Sequence, residues 1–228
     1  MSARSRGTAS LPALLSAALA ARARGDTVGA GRLVADARRI DPGHADVLHV
    51  GGILANEAGR REEAMRLLRK AVARRPADPQ LHRSLGLVAR DAGHTAEAIA
   101  ELRVALDGRP ADPGAARLLS ALLADAGRRA EARVALENVP VAARDPDLEA
   151  DLARLLEREG EAAAALAIFT RLRLSRPRDV RILAGQGRCL TVLGLAADAQ
   201  AVFAQAMTLE TSPEIGAELA HDYAMLKD

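Results

Sequence analysis

A glycine recurs along this chain at a nearly constant interval, and this recurrence constrains the fold more than any other feature of the sequence. Successive copies lie 34, 34, 34, 33 and 34 residues apart, at Gly25, Gly59, Gly93, Gly127, Gly160 and Gly194. Five residues after each glycine stands an alanine, namely Ala30, Ala64, Ala98, Ala132, Ala165 and Ala199. A fixed period of this length indicates an array of similar supersecondary units rather than one globular core.

The residues around each glycine predict a helix, a tight turn and a second helix. In the copy EAGRREEA, from Glu57 to Ala64, the glycine would end the first helix in the left-handed conformation. Glu62 and Glu63 then favour the start of the second helix, because acids stabilise the positive end of the helix dipole. A small residue seven positions before each glycine would let the two helices approach closely. In four of the six copies a proline seventeen positions after the glycine would end the second helix.

The composition favours an all-α chain. Aromatic residues make up only 1% of the 228 residues, so the core must consist mainly of leucine and alanine, which are good helix formers. No alternating pattern typical of a β-strand stands out. All basic residues except Lys70 and Lys227 are arginines, which points to a GC-rich bacterial genome.

This pattern resembles the tetratricopeptide repeat family, whose 34-residue unit is a helix–turn–helix with small residues at the helix contact and a closing proline. The large apolar residue that the family places four positions after the alanine is present as Leu68, Leu102, Leu136, Phe169 and Phe203. The resemblance implies a right-handed superhelical α-solenoid of six repeats, at residues 11–44, 45–78, 79–112, 113–145, 146–179 and 180–213. We expect residues 1–10 to be flexible and residues 214–228 to form a capping helix.

The fourth repeat departs from this pattern. It is one residue short, it meets Pro140 early, and it has Arg144 where four other repeats have proline. We therefore expect a shortened second helix in this repeat and a hinge between repeats 1–4 and 5–6.

The sequence contains no motif for catalysis. Metalloprotease, P-loop and nucleophile-elbow motifs are absent, and the pair Gly29 and Gly31 lies inside a predicted helix rather than after a strand. The five histidines lie on different repeats or faces, and the single Cys189 stands mid-helix among small residues. We predict that the protein is not an enzyme and has no catalytic, cofactor-binding or metal-binding residues. A formal net charge of only +2 and the scarcity of aromatics argue against nucleic-acid binding.

Proteins of the family line a concave groove with one stripe of each first helix. The repeat register places twelve candidate groove residues on this stripe: Leu15, Leu19, His49, Ile53, Asn56, Arg83, Leu87, Arg90, Arg117, Arg154, Arg181 and Arg188. The stripe is apolar toward the N-terminus and rich in arginine beyond it. We therefore expect a peptide with apolar and acidic parts, whose carboxylates the arginines would bind. The alternative is that the arginines form an ordinary solvated face.

These features favour a non-enzymatic scaffold or adaptor that binds a peptide or a partner protein in a bacterial cell. The alternative is the N-terminal regulatory or substrate-docking region of a larger bacterial enzyme such as a transferase. No apolar run reaches the length of a membrane span. We expect a cytoplasmic protein, or a periplasmic one if residues near 4–23, with Arg4 and Arg6 before an apolar run, act as a signal peptide.

Overall fold

The computed structural model describes residues 10–209 and 212–225, and these residues form thirteen α-helices, one short 3-10 helix and no β-strand. The α-helices are α1 (Leu11–Ala23), α2 (Thr27–Ile40), α3 (Ala45–Glu57), α4 (Arg61–Arg74), α5 (Pro79–Asp91), α6 (Thr95–Gly108), α7 (Pro113–Asp125), α8 (Arg129–Glu137), α9 (Pro146–Arg158), α10 (Ala162–Ser175), α11 (Val180–Val192), α12 (Ala196–Leu209) and α13 (Pro213–Ala224). The predicted all-α array of helix–turn–helix repeats is confirmed. Residues 1–9, which the sequence predicts to be flexible, lie outside the described residues.

The chain divides into two compact units, Met1–Pro110 (unit 1) and Ala111–Asp228 (unit 2). Unit 1 contains the helix pairs α1/α2, α3/α4 and α5/α6, and unit 2 contains α7/α8, α9/α10, α11/α12 and α13. Within the described part of the chain, no helix is long and apolar enough to cross a lipid bilayer.

The turn glycines end the first helix of every pair as predicted. All six have φ between 75° and 84°, and within the described residues no other residue type has a positive φ. In the second pair, Gly59 N–H donates to the Asn56 carbonyl at 2.9 Å and Arg60 N–H donates to the Ala55 carbonyl at 2.9 Å. These two bonds satisfy carbonyls at the end of α3 that would otherwise lack a partner.

Aspartate followed by proline starts three of the first helices. In α5, α7 and α9 a proline occupies the first turn, where its missing N–H costs nothing. The preceding aspartate caps the helix, since Asp112 accepts from Ala115 N–H at 2.9 Å and Asp145 accepts from Leu148 N–H at 2.7 Å.

The two helices of a pair touch at the small residues that the repeat pattern predicts. The six repeated alanines are all fully buried. A Cβ built on Gly52 of α3 would lie 2.7 Å from Leu68 Cγ and 3.3 Å from the Ala64 carbonyl oxygen of α4. On Gly187 of α11 it would lie 2.7 Å from ring carbons of Phe203. Glycine is therefore required for the helices to lie this close.

Helix α13 closes the core of unit 2. Its Leu219 is 1% exposed and packs in a cluster with Leu183 of α11 and with Val202, Phe203 and Ala206 of α12. A terminal helix of this kind covers the apolar face that the last helix pair would otherwise expose to water.

The predicted shortening in the fourth repeat is confirmed, because α8 has nine residues where most second helices have fourteen. A 3-10 turn at Val141–Ala143 follows it. The guanidinium of Arg144 donates to the Glu137 carbonyl at 2.8 Å and to the Val139 carbonyl at 3.0 Å, so it satisfies the end of the shortened helix. The two units meet in sequence after Pro110, one repeat before the predicted hinge, which stays a prediction.

Candidate functional site

Side chains of successive first helices meet according to a simple register. When residues are numbered from the start of each first helix, position n contacts position n+1 of the next first helix in the same unit. Five hydrogen bonds follow this rule across 34 or 35 residues, joining Arg22 to Glu57 at 2.6 Å, His49 to Ser84 at 2.8 Å, Asn56 to Asp91 at 3.0 Å, Arg117 to Asp151 at 2.6 Å and Arg188 to Asp222 at 3.4 Å. The first helices therefore form one continuous polar and apolar surface within each unit.

The ninth position of each first helix, which we call the ninth-position row, crosses the middle of this surface. Its members are Leu19, Ile53 and Leu87 in unit 1 and Ala121, Arg154 and Arg188 in unit 2. Leu19 is 42% exposed and Leu87 is 38% exposed, while Ile53 is half-buried. Large aliphatic side chains left this open within a helical row are candidates for contact with a partner.

A pocket of about 290 Å³ opens on this row in unit 1. Its lining residues come from α1, α3 and α5, and they are Arg22, Ile53, Asn56, Glu57, Gln80, Arg83, Ser84, Leu87 and Val88. Four of the predicted groove residues, Ile53, Asn56, Arg83 and Leu87, thus line one cavity. The pocket combines the apolar side chains of Ile53, Leu87 and Val88 with polar groups, and such a combination is usual in a protein ligand site.

One polar atom in the wall of this pocket has no partner. The Asn56 amide donates to Asp91 Oδ2, but its Oδ1 is buried and accepts no hydrogen bond from the described residues. Burial alone would raise the pKa of Asp91, but hydrogen bonds from Asn56 and Arg90 lower it below its usual value. Asp91 is thus a charged acceptor that binds the amide nitrogen of Asn56. The amide oxygen of Asn56 therefore points away from Asp91. An unsatisfied buried acceptor costs about 1–3 kcal/mol.

Two predicted groove residues do not line the groove. Leu15 is 8% exposed and packs in the core of the first repeat against Val34 and Val47, because the fifth position of α1 faces α2 and α3. His49 is also 8% exposed, and its Nε2 lies 2.8 Å from Ser84 Oγ, behind the pocket wall. Burial lowers the pKa of His49. For both residues the prediction of groove exposure is corrected.

Unit 2 uses the same surface for ion pairs. Arg117 Nε donates to Asp151 at 2.6 Å, and Arg154 donates to the other oxygen of the same carboxylate. Arg188 donates through one terminal nitrogen to Glu157 at 3.2 Å and through the other to Asp222 at 3.4 Å. These arginines therefore already neutralise carboxylates of their own unit.

The remaining two predicted residues lie at exposed positions. Arg90 is exposed and binds Asp91 beside it at 2.7 Å. Arg181 is exposed, and among the described residues its guanidinium forms no ion pair. Neither residue lines the pocket of unit 1.

Two carboxylates, Asp151 and Asp222, are functional neighbours that the groove stripe did not include. Each stands one position beyond the arginine that it binds, counted in the next first helix. Once the structure has given the n to n+1 register, that register locates both carboxylates in the sequence.

The described residues contain neither a reactive thiol nor a cluster of side chains that could hold a metal ion. Burial raises the pKa of the Cys189 thiol to about 11, so it stays protonated and behaves as a small apolar side chain. No three side chains of His, Cys, Asp or Glu in the described part of the chain are placed to hold one metal ion.

Comparison with known proteins supplies a family and several similar folds. The family profile described as "Tetratricopeptide repeat" matches residues 51–116 and 150–210, which together exceed half of the chain. Pseudomonas aeruginosa PilF is 20% identical with a TM-score of 0.78, covering 93% of this chain and 97% of its own. PilW, described as a widely conserved type IV pilus biogenesis factor, is 21% identical with a TM-score of 0.71, over 92% and 98%.

A third similar structure is YrrB, described as a TPR protein with an unusual peptide-binding site. It is 15% identical with a TM-score of 0.71, covering 82% of this chain and 97% of its own. At such identities these likenesses establish the fold alone. No curated protein matches the chain.

Proposed function

Because the chain belongs to the tetratricopeptide repeat family, we propose that it is a non-enzymatic protein-interaction scaffold whose unit 1 binds an apolar segment of a partner. The pocket on the ninth-position row carries this proposal. It combines the partly exposed side chains of Ile53 and Leu87 with several polar groups, in a cavity of about 290 Å³. A leucine, methionine or phenylalanine side chain of a peptide fits a site of this size and polarity.

The orphan oxygen of Asn56 supports a peptide as the occupant. A peptide carries a backbone N–H at every residue except proline, and one such group near Asn56 would satisfy the buried acceptor. Gln80, which also lines the pocket, offers a further donor to peptide carbonyls. The apolar row would thus set which side chains bind, and the amides would hold the backbone.

Unit 1 is a stronger candidate than unit 2 for the apolar part of a partner. Arg154 and Arg188 replace the aliphatic residues of the row in unit 2, and both are bound to carboxylates. A partner that displaced these carboxylates would have to exchange one ion pair for another, with little net gain at a solvated surface.

Selection from a random peptide library displayed on phage, against the full-length chain, tests this proposal. We expect the enriched peptides to share one or two large apolar residues and to bind Leu87→Asp at least about tenfold more weakly than wild type, because a carboxylate in the apolar row costs more than 1.4 kcal/mol. Val104→Asp is the matched control. Val104 is 44% exposed, close to the 38% of Leu87, but it lies on the second helix α6 of the same unit.

Two outcomes contradict the proposal. One is that no peptide is enriched on the wild-type chain above background. The other is that the enriched peptides bind Leu87→Asp as well as they bind Val104→Asp, which would place their site outside the row. Circular dichroism of both variants establishes that they remain helical.

We propose a cytoplasmic location, with the periplasm as the alternative. Leu14, Ala18 and Ala21 of α1 are buried in the first repeat, so the apolar run that resembles a signal peptide also belongs to the fold. Its cleavage would remove one helix of the first pair. The mass of the mature N-terminal peptide, isolated from the native host, distinguishes the two locations.

A further inference from the structure

A second cavity, in unit 2, is lined by more positive charge than its own carboxylates neutralise. It measures about 150 Å³ and lies between α7 and α9. Three of its lining residues are arginines, Arg117, Arg154 and Arg158, and only one is an acid, Asp151. Three guanidinium groups around one carboxylate leave a local excess of two positive charges.

The ion pairs of this cavity are unevenly distributed. Asp151 binds Arg117 through one oxygen and Arg154 through the other, so both oxygens of the only lining acid are used. Asp147 also approaches Arg117, at 3.5 Å, but it is bound by Arg176, and that hydrogen bond lowers the pKa of Asp147. Among the described residues Arg158 forms no ion pair, although it lines the cavity. Its donors, and the remaining donors of Arg154, are available to a further anion.

The cavity has room for a small charged group, and it is about half the volume of the pocket in unit 1. Ser120, Ala121 and Ala124 form the α7 side, so short side chains keep the space open between the arginines. Guanidinium groups bind carboxylate and phosphate oxygens through paired N–H donors.

We propose that this cavity is a binding subsite for an oxyanion, which is a carboxylate or a phosphate group carried by a partner protein. Arg154 and Arg158 bind the oxyanion, Arg117 contributes its charge, and Asp151 is an internal counter-ion that reduces the repulsion among the arginines while no ligand is bound. The subsite lies in unit 2 and does not depend on the apolar pocket proposed for unit 1.

Titration of the full-length chain with inorganic phosphate, and separately with sodium acetate, tests this proposal without a known partner. The readout is the shift of the arginine Nε–Hε resonances in ¹H–¹⁵N spectra at low salt and pH 7. We expect saturable shifts in wild type and at least about fivefold weaker binding of the anion in Arg158→Gln. In Asp151→Asn we expect about fivefold tighter binding, because the carboxylate that competes with the anion is removed. A gain of affinity in Asp151→Asn cannot come from misfolding.

Arg181→Gln is the matched control, since it removes one exposed positive charge of the same unit that does not line the cavity. Its affinity should equal that of wild type. Tighter binding of phosphate than of acetate identifies a phosphoryl group as the ligand, and the reverse order identifies a carboxylate. The proposal is overturned if neither anion saturates, if Arg158→Gln and Arg181→Gln bind equally, or if Asp151→Asn binds no better than wild type. None of these results bears on peptide binding by unit 1.

Discussion

The two units use the same helical position in opposite ways. In unit 1 the ninth-position row consists of Leu19, Ile53 and Leu87, which are large, apolar and partly open. In unit 2 the last two members are Arg154 and Arg188, and each is bound to a carboxylate of its own unit. A position that displays apolar surface in one unit therefore carries an ion-pair network in the other.

The charge of each unit explains part of this difference. Unit 1 has 18 basic and 12 acidic residues, whereas unit 2 has 14 basic and 18 acidic residues. Unit 2 as a whole thus offers its arginines more carboxylates than basic residues, and the n to n+1 register brings some of those carboxylates within reach. A count of arginines on a surface stripe overstates its capacity for acidic partners, because the adjacent register can neutralise them from within.

The largest expected change in stability comes from substituting Gly52 and Gly187, each of which directly precedes a residue of the ninth-position row. These glycines let the helix that carries the row residue lie close to its partner helix. We expect Gly52→Ala in unit 1 and Gly187→Ala in unit 2 each to lower stability by about 1–3 kcal/mol through overpacking, partly offset by a gain of about 0.5–1 kcal/mol in helix propensity. The loss should be larger for Gly187→Ala, since three ring carbons of Phe203 lie within 2.9 Å of the new Cβ. Urea unfolding measures the loss of unfolding free energy, and hydrogen exchange shows whether that loss is confined to α3/α4 in the first variant and to α11/α12 in the second.

Gly31→Ala provides the control for this pair. Gly31 lies within α2, and a Cβ there meets nothing within 4 Å, so the substitution should stabilise unit 1 by about 0.5–1 kcal/mol. If Gly52→Ala were as stable as Gly31→Ala, α3 would not lie against α4 as described. The position of Ile53, and with it the contrast between the two rows, would then lose its basis.

The second prediction compares two residues of the ninth-position row, Arg188, which we expect to stabilise the fold, and Leu87, which we expect to contribute little to stability. We expect Arg188→Met to cost about 0.5–1 kcal/mol at low salt, because it leaves Glu157 and Asp222 without their cation, and less at 1 M NaCl. Leu87→Met keeps the volume at the equivalent position of unit 1 and should change stability by less than about 0.5 kcal/mol at either salt concentration. Urea unfolding at both concentrations gives the comparison.

An unchanged stability of Arg188→Met at low salt would remove the contrast. Arg188 would then be as available to a partner as the leucines of unit 1, and the acidic part of a peptide would regain a binding position on the row of unit 2.

The fold was predictable from the sequence because its determinants are local and repeat. A positive φ favours glycine, and a close helix contact excludes side chains beyond alanine, so both features appear at fixed positions such as Gly59 and Ala64. Even the exception in the fourth repeat was visible, since Arg144 stands in place of proline and the helix before it is short.

The groove was predictable only in part, because a helical stripe does not say which side chains its neighbours cover. Leu15 and His49 lie on the predicted stripe, but α2 and α5 bury them. The carboxylate of Asp151 lies just off the stripe and binds two of the arginines on it. Both errors have the same origin, which is that contacts between repeats depend on the offset of one position between adjacent first helices.

The smallest expected effect distinguishes the units by pH. His49 lies behind the pocket of unit 1 and is bound to Ser84. Burial lowers the pKa of His49 below the usual 6.5. The charged groups that act on it are Asp46, Asp78, Arg75 and Arg22. The unfolded chain therefore binds a proton more readily than the folded one. The neutral imidazole is fully compatible with folding above about pH 6.5, and stability is lost as the pH falls below that value.

We expect the melting temperature of wild type, measured relative to that of His49→Gln, to decrease as the pH is lowered from 7.5 to 5.5. His221→Gln, which removes an exposed histidine of unit 2, is the control for the loss of an imidazole. A constant difference between wild type and His49→Gln across this range would mean that His49 is hydrated in solution, and that the wall of the unit 1 pocket is more open than its hydrogen bond to Ser84 implies.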